Sequence, residues 1–419
     1  MLDLRQIRED PQAAREALAR RGVDPAILDE ALELDERRRA LLPELEDLRA
    51  RKNQASKRIG ELQRSGEDAA EAIAETRGLS EREKQLEEEL RDVEERRTAA
   101  LQSLPNLPDP TAPPQDEVIR DVGESGKTGR SHVELLGDNL DTERAARVSG
   151  SRFVYLKGPL VRLEFALVQW ALSLLDERGF TPVITPVLVR EQALYGTGFL
   201  PDTEQQLYRI PEDDLYLVGT SEVPLASIHA GEILSGGELP RRYAGFSTCF
   251  RREAGAAGKD TQGLFRVHQF DKVEMFTFVE PEESQAEHER LLAIEEEVLQ
   301  TLEIPYRVVN IAVDDLGASA AKKYDLEAWL PGQGRFRELT SCSNTTDFQA
   351  RRLEVRYRPE DGEGVRPVHT LNGTAVAVGR TIIAIVENHQ DGAGNVAIPA
   401  VLHEFGAPRE LSAAPERPA

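Results

Sequence analysis

Arg251 and Arg266 bracket the stretch of sequence whose residue types could hold a polyphosphate. The run Cys249-Phe250-Arg251-Arg252-Glu253-Ala254-Gly255 continues through Gly258-Lys259-Asp260 and Gly263 to Leu264-Phe265-Arg266-Val267-His268-Gln269-Phe270-Asp271-Lys272-Val273-Glu274. It predicts a strand, a glycine-bearing loop and a second strand, with the two arginines projecting from neighbouring strands at opposite ends of the loop. Each guanidinium can hold two oxygens at once, which suits phosphate; a charged hairpin on a solvent face is the plainer reading of any generic arginine pair. Cys249 and Cys342 read as packing residues rather than nucleophiles, and His268 as a structural hydrogen-bonding residue of its strand. The 7 histidines are scattered, and no pair of them has metal-ligand spacing.

The elements that must position these arginines are of mixed type. Leu160 to Arg178 has the spacing of an amphipathic helix (Leu163, Ala166, Leu167, Trp170, Ala171, Leu174), stopped at Gly179. β-rich runs follow at Thr181–Leu188, Asp214–Val218, Arg266–Val279, Tyr306–Val313 and Thr381–Glu387, with a helix around Glu282–Leu302. Short strands in this arrangement predict an antiparallel sheet flanked by helices, an α+β body over 120–408. The Ala- and Pro-rich end, 409–419, is expected to be a disordered tail. Upstream, Pro105, Pro108, Pro110, Pro113 and Pro114 mark 105–119 as a stiff, extended linker.

Before that linker lies a separate region, 1–104. Leu34, Leu41, Leu48, Ala55 and Leu62 recur every seven residues, with Leu45 and Ile59 on the adjacent seam; after the break Arg64-Ser65-Gly66-Glu67-Asp68, Leu79, Leu86, Val93 and Ala100 repeat the pattern beside Leu90 and Leu104. Two heptad helices joined by a turn predict an antiparallel coiled-coil hairpin over about 28–104, reaching roughly 50 Å at 1.5 Å per residue. Residues 1–27 predict a short helix. Pro43 inside the first long helix should bend it, and Arg38, Lys52, Glu83 and Arg97 thin the apolar seam. Arg49, Arg51, Lys52, Lys57, Arg58 and Arg64 crowd the distal half of the first helix, whereas the second is acidic at Glu87-Glu88-Glu89 and Glu94-Glu95. Charge alone leaves two readings open: a solvated coiled coil with interhelical ion pairs, or a phosphate-binding edge.

Composition limits the function class. The chain has 419 residues and a net charge of -23, which points away from nucleic acid unless basic residues cluster locally, as they do on the hairpin. Two cysteines exclude a disulfide scaffold and a Cys-rich zinc module. No apolar run approaches a membrane span, and the start MLDLRQIRED has no signal-peptide core, so a cytoplasmic protein is expected.

Taken together, these strings resemble a known family. Phe250-Arg251-Arg252-Glu253 with Arg266-Val267-His268-Gln269-Phe270 is similar to motif 2 of class II aminoacyl-tRNA synthetases, in the form typical of seryl-tRNA synthetases. Gly219-Thr220-Ser221-Glu222 resembles the family's amino-acid-binding TxE element, and Glu338-Leu339-Thr340-Ser341-Cys342-Ser343-Asn344 its metal and ATP segment. Leu371-Asn372-Gly373-Thr374 through Val378-Gly379-Arg380 resembles motif 3, the helix from Leu160 with Pro186 resembles motif 1, and the amino-terminal hairpin completes the likeness. No single element is decisive; their order and spacing are very specific.

The resemblance implies a homodimer that joins serine to tRNA in two steps, through seryl-adenylate and with release of pyrophosphate. Arg251 would hold the α-phosphate and the serine carboxylate, and Arg266 and Arg380 the outer phosphates. Glu338 and Ser341 would carry Mg²⁺. The ATP site would further take Arg252, Glu253, Val267, Leu339 and Thr340, with Phe270 stacked on adenine. Thr220, Ser221, Glu222, Glu274, Asn372 and Thr374 would line the serine pocket. The resemblance further implies that Arg49, Arg51, Lys52, Lys57 and Arg58 touch the long variable arm of tRNA(Ser), whose acceptor end meets the catalytic body, and that the selenocysteine tRNA is charged with serine too. The zinc ligands of some archaeal members are not evident, so no zinc is expected. A relative that loads a carrier protein would need the body without the hairpin, and a non-catalytic RNA-binding protein should have lost Arg251, Glu338 or Arg380; all are present.

Overall fold

Heptad leucines shape the first part of the chain. Two short helices, α1 (Leu4–Glu9) and α2 (Pro11–Arg20), precede two long ones, α3 (Pro25–Ser65) and α4 (Ala70–Ser103). The single short helix expected before the hairpin is thus two, because Asp10 caps α2 through the Ala13 amide with Pro11 at the first helical position. α3 runs on through Pro43 and ends at Gly66, which takes the left-handed conformation (φ 77). Leu34, Leu41, Leu45, Leu48 and Ala55 of α3 are buried in one cluster with Leu79, Leu86 and Val93 of α4. Polar seam positions are satisfied rather than left thin. Arg38 bonds Glu94 at 2.8 Å, and the carboxylate of Asp35, only 3% exposed, takes Arg97 of α4 at 3.0 Å and Arg8 of α1.

In this computed structural model, which describes residues 1–201, 206–254, 260, 263–362 and 364–412, the chain divides into two units, Met1–Pro105 and Asn106–Ala419. The second unit is built on an eight-stranded sheet: β1 (Glu117–Val122), β2 (Thr181–Ile184), β3 (Arg241–Phe250), β4 (Gln269–Val279), β5 (Tyr306–Asn310), β6 (Lys322–Leu330), β7 (Arg335–Asn344) and β8 (His369–Ala377). Their order is β1-β5-β6-β7-β8-β4-β3-β2, antiparallel throughout except that β2 runs parallel to β3. Three helices, α5 (Pro159–Glu177), α7 (Ser284–Thr301) and α8 (Val378–Asn388), bury their apolar faces in the main core against the sheet; the short α6 (Glu222–Ala226) packs near β3 and β4. This is the α+β body expected. Among the described residues no helix is long and apolar enough to cross a membrane.

Four expectations need correction. Thr381–Glu387 is helix, part of α8, not strand; a short run such as Ile382–Val386 buried on all sides carries no periodicity to separate the two. Arg266 lies ahead of β4, which starts at Gln269, so Arg251 and Arg266 sit on the segments flanking the strands rather than on them. The 105–119 stretch is not a free spacer: the Asn106 amide donates to the Ala318 carbonyl at 2.8 Å, its side chain to the Ser319 and Thr345 carbonyls at 2.9 Å, and β1 begins at Glu117. Within the expected tail, Glu410–Leu411 pairs with Val396–Ala397. Residues 413–419, and Gly255, Gly258 and Lys259 of the loop, lie outside the described residues.

Candidate active site

Side chains alternate along a strand, and that period of two builds the site. On β4, Val273 and Met275 enter the core shared with the helices, while Phe270, Lys272 and Glu274 line a cavity of about 380 Å³ on the other face. Asn372 and Thr374 of β8, and Ser341 and Ser343 of β7, reach the same cavity by the same rule. Two bulges adjust the phase. Ala375 has no partner on β4, since Val273 faces Val376 and Glu274 faces Thr374. Leu339 has none on β6, since Leu326 faces Thr340 and Glu327 faces Glu338. Three residues apart, Glu338 and Ser341 would point to opposite faces of a regular strand; the extra residue lets both line the cavity.

At one end of the cavity cations gather. Arg251, Arg266, Arg380 and Lys323 all line it. Arg251 donates from Nε to the Gly219 carbonyl at 3.2 Å, and its guanidinium carbon lies 5.3 Å from the centre of the Phe270 ring. Arg266 donates to Glu253 at 2.6 Å, while its Nε is buried without an acceptor among the described residues. Glu253 itself holds a left-handed backbone (φ 51), a strained conformation that tends to persist where a site requires it. Arg380, near the start of α8, donates to the Glu338 carbonyl at 2.9 Å and lies 4.7 Å from the Phe265 ring centre. Burial, with Arg251 and Arg266 close by, holds its guanidinium below the ordinary arginine range against the pull of Glu338. Burial would push the Glu338 carboxyl up, yet Arg380, Lys323 and Arg251 outweigh it and hold the group below its usual range. Its side chain is 48% exposed, a surface that faces the cavity.

Acids and amides occupy the other end. Glu222, at the start of α6, accepts at Oε1 from Gln349 at 2.8 Å and from Asn372 at 3.1 Å. Burial pushes its carboxyl up from 4.5 to about 7, and Glu274 adds to the rise while Gln349, Lys272 and Arg251 oppose it. Thr374 donates to Glu274 at 3.1 Å, and Lys272 ion-pairs with the same carboxylate at 2.6 Å. A polyanion fits the first end, where a buried donor awaits an acceptor, and an ammonium fits the second. Glu338 and Ser341 supply hard oxygen donors suited to Mg²⁺; among the described residues no three His, Cys, Asp or Glu side chains converge, so phosphate oxygens or water must complete such an ion's shell.

Most residues expected at the site therefore meet in one cavity. Arg252 is exposed and Ser221 is buried beneath, its hydroxyl 3.3 Å from the Gly245 carbonyl, and neither lines it. Cys249 and Cys342 are buried and burial pushes both thiols up, in keeping with packing; His268 bonds the Arg251 carbonyl at 2.9 Å. Three participants went unread: Lys272, Lys323 and Gln349. Lys272 carried a usable signal, lying at alternate spacing between Phe270 and Glu274. On the hairpin, Arg49 bonds Glu83 at 3.2 Å and Glu87 at 2.7 Å, and Lys52 pairs with Glu83, so these two follow the ion-pair reading; Arg51, Lys57 and Arg58 are exposed.

Comparison with known proteins agrees with this geometry. Residues 206–389 match the tRNA synthetase class II core domain (G, H, P, S and T), and residues 1–108 the seryl-tRNA synthetase N-terminal domain. The chain is 50% identical to the serine–tRNA ligase of Streptomyces coelicolor, over 98% of this chain and 99% of that one, and 50% identical to that of Acidothermus cellulolyticus over 97% and 98%. A crystal structure of the Pyrococcus horikoshii seryl-tRNA synthetase complexed with ATP superposes with a TM-score of 0.93 at 44% identity, covering 99% of this chain and 100% of the other. Sequence motifs, sheet topology and full-length similarity thus converge: the chain belongs to the serine–tRNA ligases, the seryl-tRNA synthetase family of class II aminoacyl-tRNA synthetases.

Proposed function

We propose that the chain activates L-serine with ATP and transfers the seryl group to tRNA(Ser), and that the joining of a cationic end and an acid–amide end in one cavity carries this reading. Two anions, a carboxylate and a triphosphate, must approach each other, so fixed positive charge has to be in place first. Arg251, at the cationic end but close enough to act on Glu222 as well as Arg380, holds the serine carboxylate and the α-phosphate; Arg266 and Arg380 take the outer phosphates. The carboxylate oxygen attacks the α-phosphorus, the bond to the β,γ-phosphates breaks, and pyrophosphate leaves. Glu338 and Ser341 would hold Mg²⁺, which would supply neutralising charge for the phosphates. Phe270 stacks on adenine, with Glu253, Val267, Leu339 and Thr340 around the nucleotide. No side chain acts as a covalent nucleophile, as is usual where positioning and electrostatics govern reaction at phosphorus.

Glu222 and Asn372 face the serine ammonium, and Glu274, Thr220 and Thr374 its hydroxyl. A missing hydroxyl leaves buried polar groups unpaired, costing about 1–3 kcal/mol each and excluding alanine; threonine is excluded by size. The terminal ribose hydroxyl of the tRNA then attacks the seryl carbonyl and AMP leaves. The basic edge of α3 meets phosphates of the long variable arm, read by shape, and the same mode extends to tRNA(Sec). Exposed Phe165 and Val161 on α5 and Ile184 on the edge strand β2 support a homodimer through this side of the sheet, working in the cytoplasm. Amino-acid-dependent ATP–pyrophosphate exchange across the twenty amino acids tests the reading: serine alone should support exchange, and strong exchange with another amino acid would overturn it.

A further inference from the structure

Lys272 stands inside the amino-acid end of the cavity, its side chain only 7% exposed. Its Nζ is 2.6 Å from Thr220 Oγ1 and 2.6 Å from Glu274 Oε2. Thr374 also donates to Oε2, at 3.1 Å, so both local donors meet on one oxygen and Oε1 keeps no partner among the described residues. Thr220 Oγ1 meanwhile accepts from Lys272 and from the Glu222 amide, at 3.2 Å. With both lone pairs taken, the Thr220 hydroxyl is left only its proton to offer.

One ammonium therefore fixes the polarity of two neighbours: Glu274 presents a bare acceptor and Thr220 a donor. Serine matches that pair, since its one hydroxyl can donate to Oε1 and accept from Thr220. Alanine offers nothing to Oε1. We propose that Lys272 is a positioning residue that sets serine-over-alanine selectivity by orienting the Glu274 carboxylate and the Thr220 hydroxyl toward the substrate. This rests on the serine reading given above. Without the ammonium, Thr220 can turn its proton onto Glu274, and the acceptor that recognises the hydroxyl is compromised.

The test is full-chain Lys272→Met, which keeps length and removes every donor, alongside Lys272→Gln, which restores one. Serine- and alanine-dependent pyrophosphate exchange is measured for each, with ATP KM in parallel. Lys272→Met should lose roughly 10- to 100-fold in serine kcat/KM, and at least roughly tenfold in the serine-to-alanine ratio, while ATP KM stays within about threefold. Lys272→Gln should recover part of the ratio. Should Lys272→Met not fold, the Lys272→Gln ratio decides, and must fall between wild type and tenfold loss. An unchanged ratio, or serine and ATP KM rising together, overturns the proposal. A wild-type chain that does not prefer serine overturns the functional reading and this inference with it, whereas wild-type selectivity retained in the variants overturns the inference alone.

Discussion

Serine binding should strengthen as pH rises, because Glu222 must be ionised to face an ammonium and its environment opposes that. Burial, with Glu274 adding, lifts its carboxyl to about 7 against the pull of Lys272, Arg251 and the Gln349 amide. Only about one-tenth of the empty sites then carry the carboxylate at pH 6 and about nine-tenths at pH 8, so serine KM should fall about tenfold over that interval. Exchange kinetics at saturating ATP and constant ionic strength measure this directly. Glu222→Gln, neutral at every pH, should show a high serine KM that stays flat. The same displacement is linked to stability: a carboxyl raised in the folded state contributes below its ordinary 4.5 and loses that contribution as pH climbs through 7, an amount of about 3 kcal/mol. Glu164, lifted to about 7 by burial and by Asp271, has the same sign. The ligand-free protein should melt at lower temperature at pH 8 than at pH 6, and the increment added by serine should grow. A wild-type serine KM constant within twofold from pH 6 to 8 would refute the reasoning.

Replacing Arg51, Lys57 and Arg58 together by Ala should raise tRNA KM more than replacing Arg49 and Lys52, which are already engaged by Glu83 and Glu87, and should flatten its salt dependence by roughly one unit per lost contact; exchange without tRNA should not change. Asp35→Ala should destabilise the hairpin unit by about 1–3 kcal/mol in urea titrations followed by helicity, because Arg8 and Arg97 lose a buried acceptor. Glu338→Gln should raise the Mg²⁺ concentration needed for half-maximal exchange at least about tenfold with little change in serine KM; an unchanged Mg²⁺ requirement would remove Glu338 from the ion.

Local periodicity made much of this molecule legible. The seven-residue spacing of Leu34, Leu41 and Leu48 sufficed for α3, and the order of motif strings placed Arg251, Glu338 and Arg380 at one cavity. What stayed hidden was set by distance or by phase. Gln349 reaches Glu222 across 127 positions of chain, from the short helix Phe348–Leu353, and no local pattern announces such a contact. Arg49 meets Glu83 and Glu87 only in one register of the hairpin, which the heptads alone leave adjustable. Ile382–Val386, apolar on every side, could be either helix or strand until packing chose. Lys272 shared its face with two residues already singled out, but a lysine pointing inward contradicts the usual expectation that ammonium groups seek water.

The supernumerary Leu339 works as a half-step in a two-beat rhythm. Were it deleted, Ser341 and Ser343 would fall on the face opposite Glu338, and the buried Cys342 would take the place of a hydroxyl beside a threonine already committed to Glu295. No single replacement at Ser341 could restore the lost oxygen. A lineage that altered strand length here would have to supply these two hydroxyls from different positions, so chain length on this strand is constrained as tightly as residue identity.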